Sequence, residues 1–207
     1  DMQTNGKGRN GRHWQSPRGN LACSIISCPN VQPSRLSELS FVAAVALRRC
    51  IAKAVPNGAV KIKWPNDLLV SDSKISGILL EIARGVDSPK TSVIVGVGVN
   101  VASAPMNLER PVTFLRAYNN NITCDELFSE LIENFIEIEK QWICLGLGPI
   151  LTEWLDYAVG LGQKITVRKG DSELEGVFES LDKHGALMLR GADGKIDKIS
   201  AGDIFLG

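Results

Sequence analysis

Residues 61–81 read Lys61-Ile62-Lys63-Trp64-Pro65-Asn66-Asp67-Leu68-Leu69-Val70-Ser71-Asp72-Ser73-Lys74-Ile75-Ser76-Gly77-Ile78-Leu79-Leu80-Glu81. Val60, Ile62 and Trp64 alternate with Lys61 and Lys63, as a half-buried strand requires, so both lysines share the face opposite Ile62 and Trp64. Pro65 cannot donate to a ladder and turns the polar pair Asn66-Asp67 out of it. Leu68-Leu69-Val70 resumes an extended apolar run, and Asp72-Ser73 turns into Ile75, Ile78, Leu80 and Ile82. Two strands around a short hairpin are therefore expected here. A lysine at a strand end suits a phosphate, yet Lys61, Lys63 and Lys74 read equally well as solvent-facing edge lysines and Asp67 as a turn residue.

Outward from this segment, Leu21 to Ile26 reads as a buried strand, and Ser92 to Val101 is so continuously β-branched that it belongs in the middle of a sheet. Leu39, Val42, Ala43, Ala46, Leu47 and Cys50 recur at helical spacing within residues 37–55, with Pro56-Asn57-Gly58 as the stop. Leu127, Leu131, Phe135 and Ile138 mark a second core helix over 127–145. From Gly162 the period changes: short runs at 164–167, 174–178, 186–189, 195–197 and 203–206 are separated by Gly and Asp turns, as in a small β-barrel. The division is placed near residues 158–162, giving a first domain over 1–158 and a second over 159–207.

The 207 residues are 44% hydrophobic and 22% charged, an ordinary globular composition that rules against disorder or a fibre. Twenty-three basic and 23 acidic residues cancel, which argues against a broad positive field for nucleic acid and leaves room only for a local basic loop. Five cysteines without a CxxC pair, and two distant histidines, signal neither a disulfide framework nor a structural zinc site. A reducing cytoplasm is the simpler location, and no membrane is called for. The opening Asp1-Met2-Gln3-Thr4 does not resemble a secretion signal and runs straight into a glycine-rich segment, so the chain is expected to begin inside a domain that lacks its N-terminal part.

That segment, residues 6–20, mixes four glycines with Lys7, Arg9, Arg12 and Arg18 and is expected to form an exposed, mobile loop. Gly6, Gly8 and Gly11 would let backbone approach an anion while Arg9 and Arg12 supply fixed donors. It has neither the Walker spacing nor a preceding strand. A solvated turn or a nucleic-acid arm, with Trp14 as the lone stacking surface, are the competing readings. Gly96, Gly98 and Asn100 close the apolar run either as small packing residues or as a strand end whose amide reaches a ligand.

Three segments, QTNGKGRNGRHWQSPRGN at 3–20, KWPNDLLVSDSKISGILLE at 63–81 and GVGVNV at 96–101, together resemble the biotin–protein ligase family, and the late GDSELEGVFESLDKHGALML to AGDIFL pattern looks like its C-terminal domain. The resemblance implies an α+β fold: a mixed-sheet catalytic domain of the biotin/lipoate ligase type, then a small SH3-like β-barrel. It implies ATP-dependent activation of biotin to biotinyl-adenylate and transfer to a lysine of a biotin carboxyl carrier protein, with Mg²⁺ accompanying ATP. By the same resemblance Lys63 and Arg9 are the catalytic candidates. Gln3, Gly6, Gly8, Arg9, Gly11, Arg12 and Lys63 would contact biotin. Arg9, Arg12, Trp14, Asn66, Asp67, Lys74 and Asn100 would serve ATP and the adenylate, and Asp67 would sit in the metal region. Lys7 stands where arginine is more familiar, keeping charge but losing the planar fork. A homodimer is compatible with the resemblance; DNA binding is not expected, because no helix-turn-helix precedes the motifs. Two alternatives share the scaffold: a lipoate-type ligase, and a noncatalytic small-molecule or protein-binding module.

Overall fold

The computed structural model describes residues 2–55, 60–84, 91–105, 110–170 and 172–206. Its centre is a five-stranded sheet built from β3 (Leu21–Ser27), β4 (Val60–Lys63), β5 (Asp67–Val70), β6 (Ser73–Arg84) and β7 (Thr91–Val99), in the spatial order β3-β7-β6-β5-β4. Every ladder in it is antiparallel; parallel pairing enters through isolated bridges at its margin, Ile62 with Ala158 and Lys74 with Val112. The β5–β6 hairpin turns at Ser71 and Asp72, both with positive φ (47° and 63°), the primed-turn geometry that matches strand twist.

Strand periodicity sorts the two faces of this sheet. Val93, Val95, Val97 and Val99 are buried against the helices, while Gly96 and Gly98 lie on the opposite face. Helix α1 (Leu39–Ala54) covers the first face, preceded by a 3₁₀ turn at Pro33–Glu38. It is buried nearly all round, because α2 (Cys124–Leu145) packs on its back. Leu127, Leu131, Phe135, Ile138 and Trp142 supply the buried stripe of α2. Thr123 and Glu126 form a reciprocal capping box at its start. A third helix, α3 (Gly148–Asp156), places Trp154 edge-on to Phe41 with ring centroids 5.8 Å apart. This helix lies beyond the expected 127–145 helix and was not anticipated from the sequence. The expected stop of α1 at Pro56-Asn57-Gly58 lies outside the described residues.

The C-terminal strands β8 (Lys164–Lys169), β9 (Ser172–Leu181), β10 (Leu187–Arg190), β11 (Ile196–Ile199) and β12 (Asp203–Leu206) fall where the turn spacing put them. The barrel expectation is corrected. They form an open sheet of order β11-β10-β9-β8-β12, whose outer strands β11 and β12 do not pair with each other. Closure is unnecessary because the module's apolar face is covered by its neighbour: Ile165, Val167, Phe178, Leu187, Leu189 and Ile204 belong to the same buried cluster as α1 and the central sheet. The turn before β10 wedges into that neighbour, with Trp64 donating from Nε1 to the Gly185 carbonyl at 3.1 Å. A Cβ at Gly185 would collide with Phe41.

Residues 3–16 also differ from expectation. In place of an irregular loop, β1 (Gln3–Lys7) and β2 (His13–Ser16) pair as an antiparallel ribbon around a 3₁₀ turn at Arg9–Gly11. Asn10 (φ 57°) and Gly11 (φ 72°) take the left-handed conformations that make this tight reversal. Gly11 thus serves a defined turn, and the glycine-rich segment itself contributes a strand, Gln3–Lys7, that contains Gly6.

Candidate functional site

The helix-free face of the central sheet floors a cavity of about 400 Å³, roofed by the β1–β2 ribbon and bordered by residues from β5, β6, the segment after β7 and the start of β12. The floor is flat because Gly77 and Gly98 pair across β6 and β7. The Trp14 indole lies on them: a Cβ at Gly98 would stand 2.5 Å from its ring, and one at Gly77 would stand 3.4 Å from it. Ser76 fixes the Gly98 backbone by donating from Oγ to its carbonyl at 2.6 Å. The indole rests in contact with the glycine pair and so forms a wall of the cavity; beside it, Ala22, Cys23, Leu79 and Gly96 line a slot that accepts an extended apolar group.

One side of the slot is cationic. Lys74 is buried, with its Nζ paired to the Asp67 carboxylate and 5.6 Å from the Trp14 ring centroid. Burial pushes its pKa below the ordinary lysine range, against the opposing pull of Asp67, and the charges of Arg110 and Arg12 push it further down. Arg110 also faces Asp67, at 3.6 Å. Asn66 does not present a free amide, since its Nδ2 donates to the Ile78 carbonyl while its Oδ1 accepts from Arg9 Nη1 at 3.3 Å.

The ribbon's arginines reach across to the C-terminal sheet. Arg9 donates to the Gly202 carbonyl from Nη1 and Nη2 at 3.4 and 3.3 Å and lies 3.7 Å from Asp203, while Arg12 pairs directly with the Asp203 carboxylate. The cavity therefore draws on residues almost 200 positions apart.

Several anticipated residues converge here: Gln3, Gly8, Arg9, Arg12, Trp14, Asn66, Asp67 and Lys74 all line the cavity. Gly6 and Gly11 shape the ribbon without lining it. Lys63 lies off the lining, with its ammonium 5.6 Å from the Phe205 ring, and burial lowers its pKa against the pull of Asp67. Asn100 is likewise off the lining: it is buried, donates from Nδ2 to the Thr113 carbonyl at 3.0 Å, and its Oδ1 has no partner among the described residues. It anchors the segment after β7. Lys7, His13, Arg110 and Asp203 line the cavity without having been singled out as ligand residues; only the strand assignment hinted at Asp203.

Among the described residues no three His, Cys, Asp or Glu side chains gather as a metal site. Asp67 is a single carboxylate already engaged by two cations, a donor set that does not fit a protein-held Mg²⁺.

The chain is 37% identical to the biotin–[acetyl-CoA-carboxylase] ligase of Paracoccus denitrificans over 209 residues, covering 98% of this chain and 86% of that relative. This chain belongs to the biotin–protein ligase family. Residues 1–100 match the Biotin/lipoate A/B protein ligase family and residues 160–207 the Biotin protein ligase C terminal domain. The bifunctional ligase/repressor BirA of Escherichia coli is 31% identical over the whole chain, which spans 64% of that relative's length. In fold, the ligase family is represented by the biotin protein ligase of Aquifex aeolicus in complex with biotin and ATP, superposing with a TM-score of 0.85 over 99% of this chain and 85% of the other at 24% identity.

Proposed function

We propose that this chain activates biotin with ATP and transfers the biotinyl group to a lysine of a biotin carboxyl carrier protein. The observation that carries this reading is the slot itself: a cavity on the sheet face, walled by the Trp14 indole seated on Gly77 and Gly98 and bordered by a buried lysine and two ribbon arginines. Biotin's fused rings and aliphatic tail match the slot, and its carboxylate would lie toward the cations. In the first step a carboxylate oxygen attacks the α-phosphorus, the bond to the β-phosphate oxygen breaks and pyrophosphate leaves. In the second, the carrier's lysine nitrogen attacks the acyl carbon, AMP departs and the amine gives up a proton. The protein supplies no nucleophile; it orients reactants, neutralises developing charge and excludes water from the mixed anhydride.

Within this reading Lys74 holds the reacting carboxylate and α-phosphate, because it is the buried cation at the slot, and Lys63 contributes field from behind it. Arg9 and Arg12 bind the phosphate from above. Mg²⁺ enters with ATP as part of the substrate. Five free cysteines suit a reducing compartment, which supports a cytoplasmic location, and no helix among the described residues is long and apolar enough to cross a membrane.

The test is incubation with biotin, ATP, Mg²⁺ and a biotin carrier domain, read by intact mass, with biotin-dependent ATP–pyrophosphate exchange measured in parallel. A carrier gaining one biotinyl group supports the proposal. Exchange driven by lipoate but not by biotin would replace it with the related acyl ligase, and absence of both would leave a binding module.

A further inference from the structure

Arg110 belongs to none of the three motifs that point to ligand binding, yet it enters the cavity from the segment that follows β7. Its placement is tied to that of Lys74. The Lys74 amide donates to the Pro111 carbonyl at 2.9 Å, and the Thr113 amide donates back to the Lys74 carbonyl at 2.9 Å, so Arg110 is attached to a backbone pairing with β6. Its guanidinium stands 3.6 Å from one oxygen of Asp67, while the other oxygen pairs with Lys74.

A single carboxylate between two cations leaves positive charge uncompensated. Across the cavity lining five lysines and arginines face three carboxylates. The charge of Arg110 works against protonation of both Lys74 and Lys63. The lining therefore carries a repulsion among its cations that an anion would relieve. The adenylate intermediate has one phosphate, which Lys74, Arg9 and Arg12 are placed to neutralise. Arg110 is half-exposed, at the mouth and not at the glycine floor, where the part of a ligand that must leave would lie.

We propose that Arg110 binds the β- and γ-phosphates of the nucleotide and holds the pyrophosphate as it leaves, a role that rests on ATP being the substrate. As the α-phosphorus to oxygen bond breaks, the electron pair passes to the pyrophosphate oxygen, and the planar guanidinium can donate to oxygens of both departing phosphates. Asp67 holds the guanidinium at the mouth until the nucleotide arrives.

The experiment titrates magnesium pyrophosphate into the intact chain and into Arg110→Ala and Arg110→Lys by calorimetry, beside a nonhydrolysable biotinyl-adenylate analogue that lacks the β- and γ-phosphates. The expected result is a pyrophosphate Kd about tenfold weaker in Arg110→Ala and partly restored in Arg110→Lys, with analogue affinity unchanged within about twofold. In exchange assays KM for ATP should rise and KM for biotin should not. Unchanged pyrophosphate affinity, no pyrophosphate binding by the wild type, or a parallel loss of analogue affinity would each overturn the assignment. Arg110-dependent pyrophosphate binding without any biotin-driven exchange would sink the ligase reading and leave the phosphate site standing.

Discussion

Two hairpins meet at the cavity, and they hold their cations by opposite means. The β5–β6 hairpin lies within the central sheet, paired on both sides, and its Lys74 is 9% exposed against Asp67. Among the described residues the β1–β2 ribbon pairs with no other strand, and Arg12, whose side chain is 50% exposed, is tied down through Asp203 of the C-terminal sheet. A buried pair resists rearrangement because separating it strands a charge in a low dielectric, whereas an exposed pair is worth about 0–1 kcal/mol and exchanges readily. The inner hairpin is therefore suited to chemistry that needs fixed geometry, and the ribbon to retaining and releasing a ligand.

This division places the largest effect on the inner hairpin. Lys74→Ala should slow biotin-dependent ATP–pyrophosphate exchange about a hundredfold or more, as removal of one preorganised electrostatic donor does. Lys63→Ala should slow it less, given its position off the lining. The reverse order in the two exchange rates would return the reacting centre to Lys63.

Gly98→Ala tests the slot. Its new Cβ would stand 2.5 Å from the Trp14 indole, so the ring must lift; overpacking of this kind costs about 1–3 kcal/mol. Affinity for the adenylate analogue should drop about tenfold while the far-ultraviolet circular dichroism stays native. Undiminished affinity would show that the indole is not part of the binding surface.

For the ribbon, Arg9→Gly should raise the off-rate of the analogue about tenfold, the scale of one charge-assisted hydrogen bond, and release reactive adenylate before adenylation is lost. Stopped-flow displacement measures the first and labelling of a noncognate lysine protein the second; retention equal to wild type would leave a static pocket in place of a lid. Asp203→Asn should act more gently, increasing amide exchange of residues 6–14 in the empty protein and the analogue off-rate by only a few-fold, because the pair it breaks is exposed. Loss of all analogue binding would instead make Asp203 indispensable to the site.

The smallest effect concerns pH. Burial lowers the Lys74 pKa in the folded chain, so between that value and the ordinary lysine pKa the unfolded chain binds more protons and stability rises with pH. A bound anion favours the ammonium, so binding takes up a proton and analogue affinity should fall as pH climbs through the same window. Lys74→Arg should flatten that slope; a slope unchanged in the variant would assign the titration to another group.

The strands and both long helices were legible because their signals are local. Alternation at Val60, Ile62 and Trp64 and helical recurrence of Leu127, Leu131, Phe135 and Ile138 each report which side of an element meets the core. The strand pairing of the ribbon was missed because glycine and arginine composition says nothing about cross-strand pairing between Gly6 and Trp14. The barrel was misread for a related reason: turn spacing counts strands but does not say whether the first and last of them pair.

By itself the sequence determined the strand and helix pattern, the balance of charge and the motifs at 3–20, 63–81 and 96–101 that point to the ligase family. Tertiary structure alone decided which lysine faces the slot, because Lys63 and Lys74 look alike in a linear pattern and differ only in what packs over them. It also decided that Asp203 meets Arg12 and that Arg110 meets Asp67. Such pairings depend on how separate sheets and segments are brought together, and a long-range contact of this kind leaves no periodic trace along the chain.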